Sequence, residues 1–128
     1  MNSNLKIGAQ VYVKDSIEAV EIYCRAFGAE ISFEIRDDNG VFEHCELSIN
    51  GQFFMCVSEC GLFNESVSEE THLTMAFNVP GLGSEQAVRK AHDILSEGGK
   101  VLHLGARPWS AFCTDLVDKF GVFWWIAV

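Results

Sequence analysis

Long apolar runs are missing from this sequence, and no stretch approaches the roughly 20 residues that a membrane-spanning helix requires. The first residues, M-N-S-N-L-K-I-G, lack the apolar core of a signal peptide, so a soluble, cytoplasmic protein is expected. Basic residues are few: 9 Lys and Arg stand against 18 Asp and Glu, and the formal charge of −9 repels phosphate backbones and anionic lipid. Neither nucleic acid nor a membrane is an expected partner. The 5 cysteines, Cys24, Cys45, Cys56, Cys60 and Cys113, form neither an even set nor a C-x-x-C pair, which fits reduced thiols better than a disulfide framework. None has an evident base beside it, so each reads first as a small buried hydrophobe.

What is present suffices for one packed domain over 1–128, since the chain is 48% hydrophobic and 21% charged. Its most apolar stretch is the last, a strand over 122–128 in which Trp124 and Ile126 point one way and Phe123, Trp125 and Ala127 the other. Both faces need covering. A helix can take one, and the other must look into a core or a pocket.

Earlier in the chain, residues 5–13 alternate as a strand with Gly8, Gln10 and Tyr12 on one face. Asp15 and Ser16 then cap a helix that ends at Gly28. From Glu30 the period returns to two, with turns at D-D-N-G (37–40) and at Asn50-Gly51, giving a three-stranded meander. The acidic segment 61–70 reads as a connector. Beyond it the order repeats: a strand over 71–79 with His72 and Thr74 on one face, a helix capped by Ser84 and closed by Gly98-Gly99, then strands over 100–104, 111–116 and 122–128. The spacing predicts one unit, β-α-β-β-β, used twice, over 1–60 and 71–128. Local sequence agrees, with E-A-V (18–20) recurring as Q-A-V (86–88) and F-G-A-E-I (27–31) as E-G-G-K-V (97–101).

Three stretches carry a family resemblance: V-K-D-S-I-E-A-V-E-I-Y-C-R-A-F-G (13–28), H-C-E-L-S-I-N-G (44–51), and Trp109 followed by D-K-F-G-V-F-W (118–124). Together they resemble the vicinal oxygen chelate superfamily of glyoxalases, bleomycin-resistance proteins and extradiol dioxygenases, and within it the PhnB-like branch, with Lys119 where that branch usually has proline. The resemblance implies an α+β fold in which two β-α-β-β-β modules form a U-shaped mixed sheet around a cleft, with helices outside, in a homodimer. It also implies four metal-ligand positions, which map to Gly8, Met55, His72 or Thr74, and Trp125. Glycine has no side chain, the tryptophan N–H only donates, and a thioether is a weak ligand, so neither a metal nor another cofactor is expected.

Candidate site residues follow from the faces. His44 and Glu46 share a strand face and read either as an acid–base pair or as a polar, half-exposed surface. Gln10, Tyr12, Phe53, Met55, His72, Thr74, Trp109, Phe123 and Trp125 read as the lining of an aromatic cleft or as rings collapsed into plain core. Three functions are open: a metal-free binder of a small organic molecule, a glyoxalase-type lyase or isomerase using His44 and Glu46, and a structural or regulatory homodimer with a filled cleft.

Overall fold

The structure, a computed structural model, describes residues 8–62 and 76–128. The first half runs β1 (Gln10–Val13), α1 (Ser16–Phe27), β2 (Glu30–Arg36), β3 (Phe42–Ile49) and β4 (Gln52–Glu59). The second runs β5 (Ala76–Val79), α2 (Glu85–Leu95), β6 (Lys100–Arg107), β7 (Ser110–Val117) and β8 (Phe123–Ala127). Each half closes as a mixed four-stranded sheet, in the order β1-β4-β3-β2 and β5-β8-β7-β6, with its first strand parallel to its last. The expected α+β class and the repeated strand–helix order are both present. Most of the expected connector lies outside the described residues.

Helix α1 starts where local and distant groups agree. Asp15, in a left-handed conformation with φ 63°, accepts from the Glu18 N–H, while the Glu59 carboxylate at the end of β4 accepts from the N–H groups of Asp15 and Ser16. The Ser16 hydroxyl accepts from Phe42 N–H, so the same turn is pinned to β3. At the far end Gly28, φ 68°, returns its N–H to Cys24 O. Helix α2 has the simpler start, with Ser84 Oγ accepting from Ala87 N–H. It stops at Leu95, short of the expected Gly98-Gly99, because Ser96 already closes its last turn onto His92 O. Gly99 answers to packing instead, since a Cβ there would lie 2.3 Å from Val117 O.

The helices cover one face of each sheet and pack against one another. A continuous core joins Val11, Tyr23, Leu47 and Val57 of the first half to Val88, Leu95, Trp124 and Ile126 of the second. Trp124 sits at the seam, with Tyr23 5.3 Å and Phe27 5.2 Å away between ring centres. The expected alternation of the last strand is therefore correct: Trp124 and Ile126 face the helices, and Phe123 and Trp125 face away.

Candidate functional site

The helix-free face of the first sheet is built on β3. Its alternation puts Cys45 and Leu47 into the core and leaves His44 and Glu46 on the opposite face, where His44 Nε2 and Glu46 Oε2 are 2.8 Å apart. Directly across from Glu46 in register is Cys56, whose Sγ lies 4.0 Å from the same His44 nitrogen. One donor atom from each of the three falls within 4.8 Å of the others. Gln10, opposite Cys56 on β1, donates to Ser58 Oγ at 2.9 Å. Burial, and after it the Glu46 carboxylate, push the Cys56 thiol above its ordinary pKa. An open cavity of about 430 Å³ adjoins the group, lined by Gly8, Ala9, Gln10, Glu46, Phe53 and Cys56.

Cys56 reaches this face through a β-bulge. Leu47 pairs with Met55, but Ser48 pairs with Phe53, so Phe54 has no partner and the alternation of β4 inverts there. Phe53 stays on the helix-free face, 42% exposed, with its ring over Gly8; a Cβ on Gly8 would come within 2.4 Å of it. Met55, expected to line the cleft, is instead 2% exposed and packs in the helix-side core with Leu47 and Val57. A bulge depends on how two strands pair, so single-strand periodicity does not signal it. Tyr12 stands beside Gln10 in β1, opposite Ser58. His72 and Thr74 lie outside the described residues.

The second sheet carries a set of residues that periodicity missed. Strand β6 runs to Arg107 rather than stopping at Leu104, and pairs His103 with Asp115, which is itself opposite Trp125. Arg107 donates to the Asp115 carboxylate at 2.5 Å, and its guanidinium lies 5.5 Å from the ring centre of Trp109. Trp109 is 67% exposed at the β6–β7 turn, while Phe123 is half-buried beside Ala76 and Val117. Around Asp115, His103 Nε2, Arg107 Nε and Trp125 Nε1 are buried with no hydrogen-bond partner among the described residues. The internal repeat was the available signal: the register aligns Gln10, Cys56, Glu46 and Phe33 of the first half with Asn78, Trp125, Asp115 and His103 of the second.

The predicted aromatic lining thus divides between two sheets. Three of the four positions that the resemblance assigns to a metal do not fit one, and the fourth, His72 or Thr74, lies outside the described residues. Gly8 has no donor, Met55 faces the helices, and the buried indole N–H of Trp125 repels a cation.

No protein-family model and no curated protein matches the sequence. Solved structures do match. The PhnB protein of Bacillus cereus is 24% identical, with a TM-score of 0.77 over 96% of this chain and 98% of its own. Protein PA1353 of Pseudomonas aeruginosa is 20% identical, with a TM-score of 0.79 over 97% of each chain. The fosfomycin resistance protein FosX of Listeria monocytogenes, solved with Mn(II) and sulfate, is 14% identical, with a TM-score of 0.66 over 100% of this chain and 91% of its own. With two mixed sheets, each crossed by one helix, and these near-complete overlaps, the chain has the vicinal oxygen chelate fold found in PhnB-like proteins and FosX.

Proposed function

We propose that this protein is a homodimeric binder of a small organic molecule, held on the helix-free sheet face around Asp115, with no metal at the fold's four ligand positions. One observation carries the reading: three buried polar nitrogens, on His103, Arg107 and Trp125, surround one carboxylate and have no partner among the described residues. Each such group left unsatisfied costs about 1–3 kcal/mol, which a ligand acceptor would recover. Arg107 neutralises Asp115, so the site suits a planar molecule that presents a carbonyl or carboxylate oxygen. Trp125, Phe123 and Trp109 supply flat apolar surface for its ring. The dimer is supported by Phe33 and Ile35 on the edge strand β2, which are 49% and 45% exposed.

Titration with a panel of planar aromatic carboxylates and amides, followed by tryptophan emission, tests this. At least one compound should give a saturable response that Arg107→Gln weakens about tenfold, equivalent to about 1.4 kcal/mol. A panel with no saturable response, or a response indifferent to both Arg107→Gln and Trp125→Phe, overturns it.

A second reading, a glyoxalase-type lyase or isomerase, is favoured by the 2.8 Å contact that would let Glu46 orient His44 as a general base. Turnover of dicarbonyl or thiol-conjugate substrates that persists unchanged in His44→Ala rejects it.

A further inference from the structure

We propose that His44, Glu46 and Cys56 form a binding site for a zinc-like divalent cation on the first sheet, independent of the organic site around Asp115. The three residues supply the nitrogen, oxygen and sulfur donors that a borderline-soft cation accepts together. Only Cys56 lies on a strand to which the family resemblance assigns a ligand, and His44 and Glu46 both come from β3.

The spacing fits. With bonds of about 2.0 Å to nitrogen or oxygen and 2.3 Å to sulfur, tetrahedral ligands stand about 3.3 Å apart for N and O and about 3.5 Å for N and S. His44 Nε2 is 2.8 Å from Glu46 Oε2 and 4.0 Å from Cys56 Sγ. The first gap must widen and the second close by about 0.5 Å, while Glu46 and Cys56, whose donor atoms lie within 4.8 Å of each other, must close to about 3.5 Å, movements within reach of side-chain rotations. The same imidazole nitrogen faces both partners, so a cation would take the place of the proton it shares with Glu46. The thiol proton would leave to solvent as the metal–sulfur bond forms.

Two surroundings support a bound ion. The Phe33 ring flanks the imidazole, with 6.1 Å between ring centres, and limits water on that side. Glu46 and Cys56 border the cavity of about 430 Å³, which leaves room for a fourth ligand, water or substrate, over Gly8 and beside Gln10. Three protein donors with one open position is the arrangement of catalytic rather than structural zinc.

The test uses the full-length protein, reduced and stripped with chelator, titrated with Zn²⁺ by calorimetry and with Co²⁺ by absorbance. One equivalent should bind, and Co²⁺ should give a thiolate charge-transfer band together with the d–d bands of a tetrahedral site. Cys56→Ala should abolish the charge-transfer band, and His44→Ala and Glu46→Gln should each weaken binding at least tenfold. Cys24→Ala and Cys60→Ala should leave both readouts unchanged. Thermal unfolding of each variant without metal separates loss of the site from loss of the fold. Absence of stoichiometric binding, or a charge-transfer band that survives Cys56→Ala, overturns the assignment. Neither result bears on the Arg107 and Trp125 site, which is read with metal-free protein.

Discussion

Asp118 shows how much one buried carboxylate can organise. Its Oδ1 accepts from Phe120 and Val122 N–H, at 2.9 and 3.0 Å, and closes the turn before β8. Its Oδ2 accepts from Tyr23 OH of α1, at 2.7 Å, and from Trp124 Nε1, at 2.9 Å, and so ties the two halves together. Burial raises the Asp118 pKa despite these four donors, and burial followed by the Asp118 charge and hydrogen bond raises that of Tyr23 well above its ordinary value. Tyr23→Phe removes one hydrogen bond to a charged group and should cost about 1.5–3 kcal/mol at neutral pH. A phenol whose folded pKa lies above its unfolded value contributes fully below the unfolded value of about 10 and loses that contribution as pH rises through the folded one. The deficit of Tyr23→Phe in urea unfolding should therefore be full at neutral pH and shrink in alkali. A deficit that grows in alkali contradicts the linkage.

At the scale of elements, the two helices start by different means. Ser84→Ala removes a single local cap from α2 and should cost about 1 kcal/mol in chemical unfolding. Glu59→Ala strips the partner from two N–H groups at the start of α1, and about 2 kcal/mol is expected, twice the loss at α2. Gly99→Ala sets a Cβ against Val117 O at 2.3 Å and Asp118 Cα at 2.9 Å, both backbone, so relief requires a shift of β6 or of the 118 turn. It should cost about 3 kcal/mol or more, and a neutral result would mean that this contact is not held. Both helix starts, the Gly28 end of α1 and the hairpin turns were legible in the sequence because a few adjacent residues determine them, whereas the end of α2 fell at Ser96 rather than at the expected Gly98-Gly99. The register of β4 was not, because its bulge belongs to the pairing with β3. That one slip separates the expected Met55 from the Cys56 that stands beside His44 and Glu46.

For the whole molecule, six of the nine exposed large apolar residues among those described lie on the edge strands β2 and β6. Ile31, Phe33 and Ile35 of β2, and Val101, Leu102 and Leu104 of β6, are each 37–49% exposed. Unpaired edges of this kind suit burial against a second copy. Light scattering coupled to size exclusion should give a dimer mass, and Phe33→Lys should shift it toward monomer without lowering the melting temperature of the isolated chain. A wild-type monomer at micromolar concentration removes the dimer from the proposed function.

Two turns mark the boundary between sequence and fold. D-D-N-G-V at 37–41 and D-K-F-G-V at 118–122 share their local chemistry: each aspartate accepts N–H groups two and four residues ahead, and each glycine has positive φ. Strand period outside the β4 bulge, helix starts, turn sites and the repeated order of elements were likewise legible in the sequence alone, because short-range sterics and hydrogen bonds suffice for them. Only the tertiary structure decided that Asp118 lies beneath Tyr23 and Trp124, that His44, Glu46 and Cys56 converge, and that His103, Arg107 and Trp125 gather around Asp115. Those outcomes depend on strand pairing and helix packing between residues far apart in the chain, where no local rule operates.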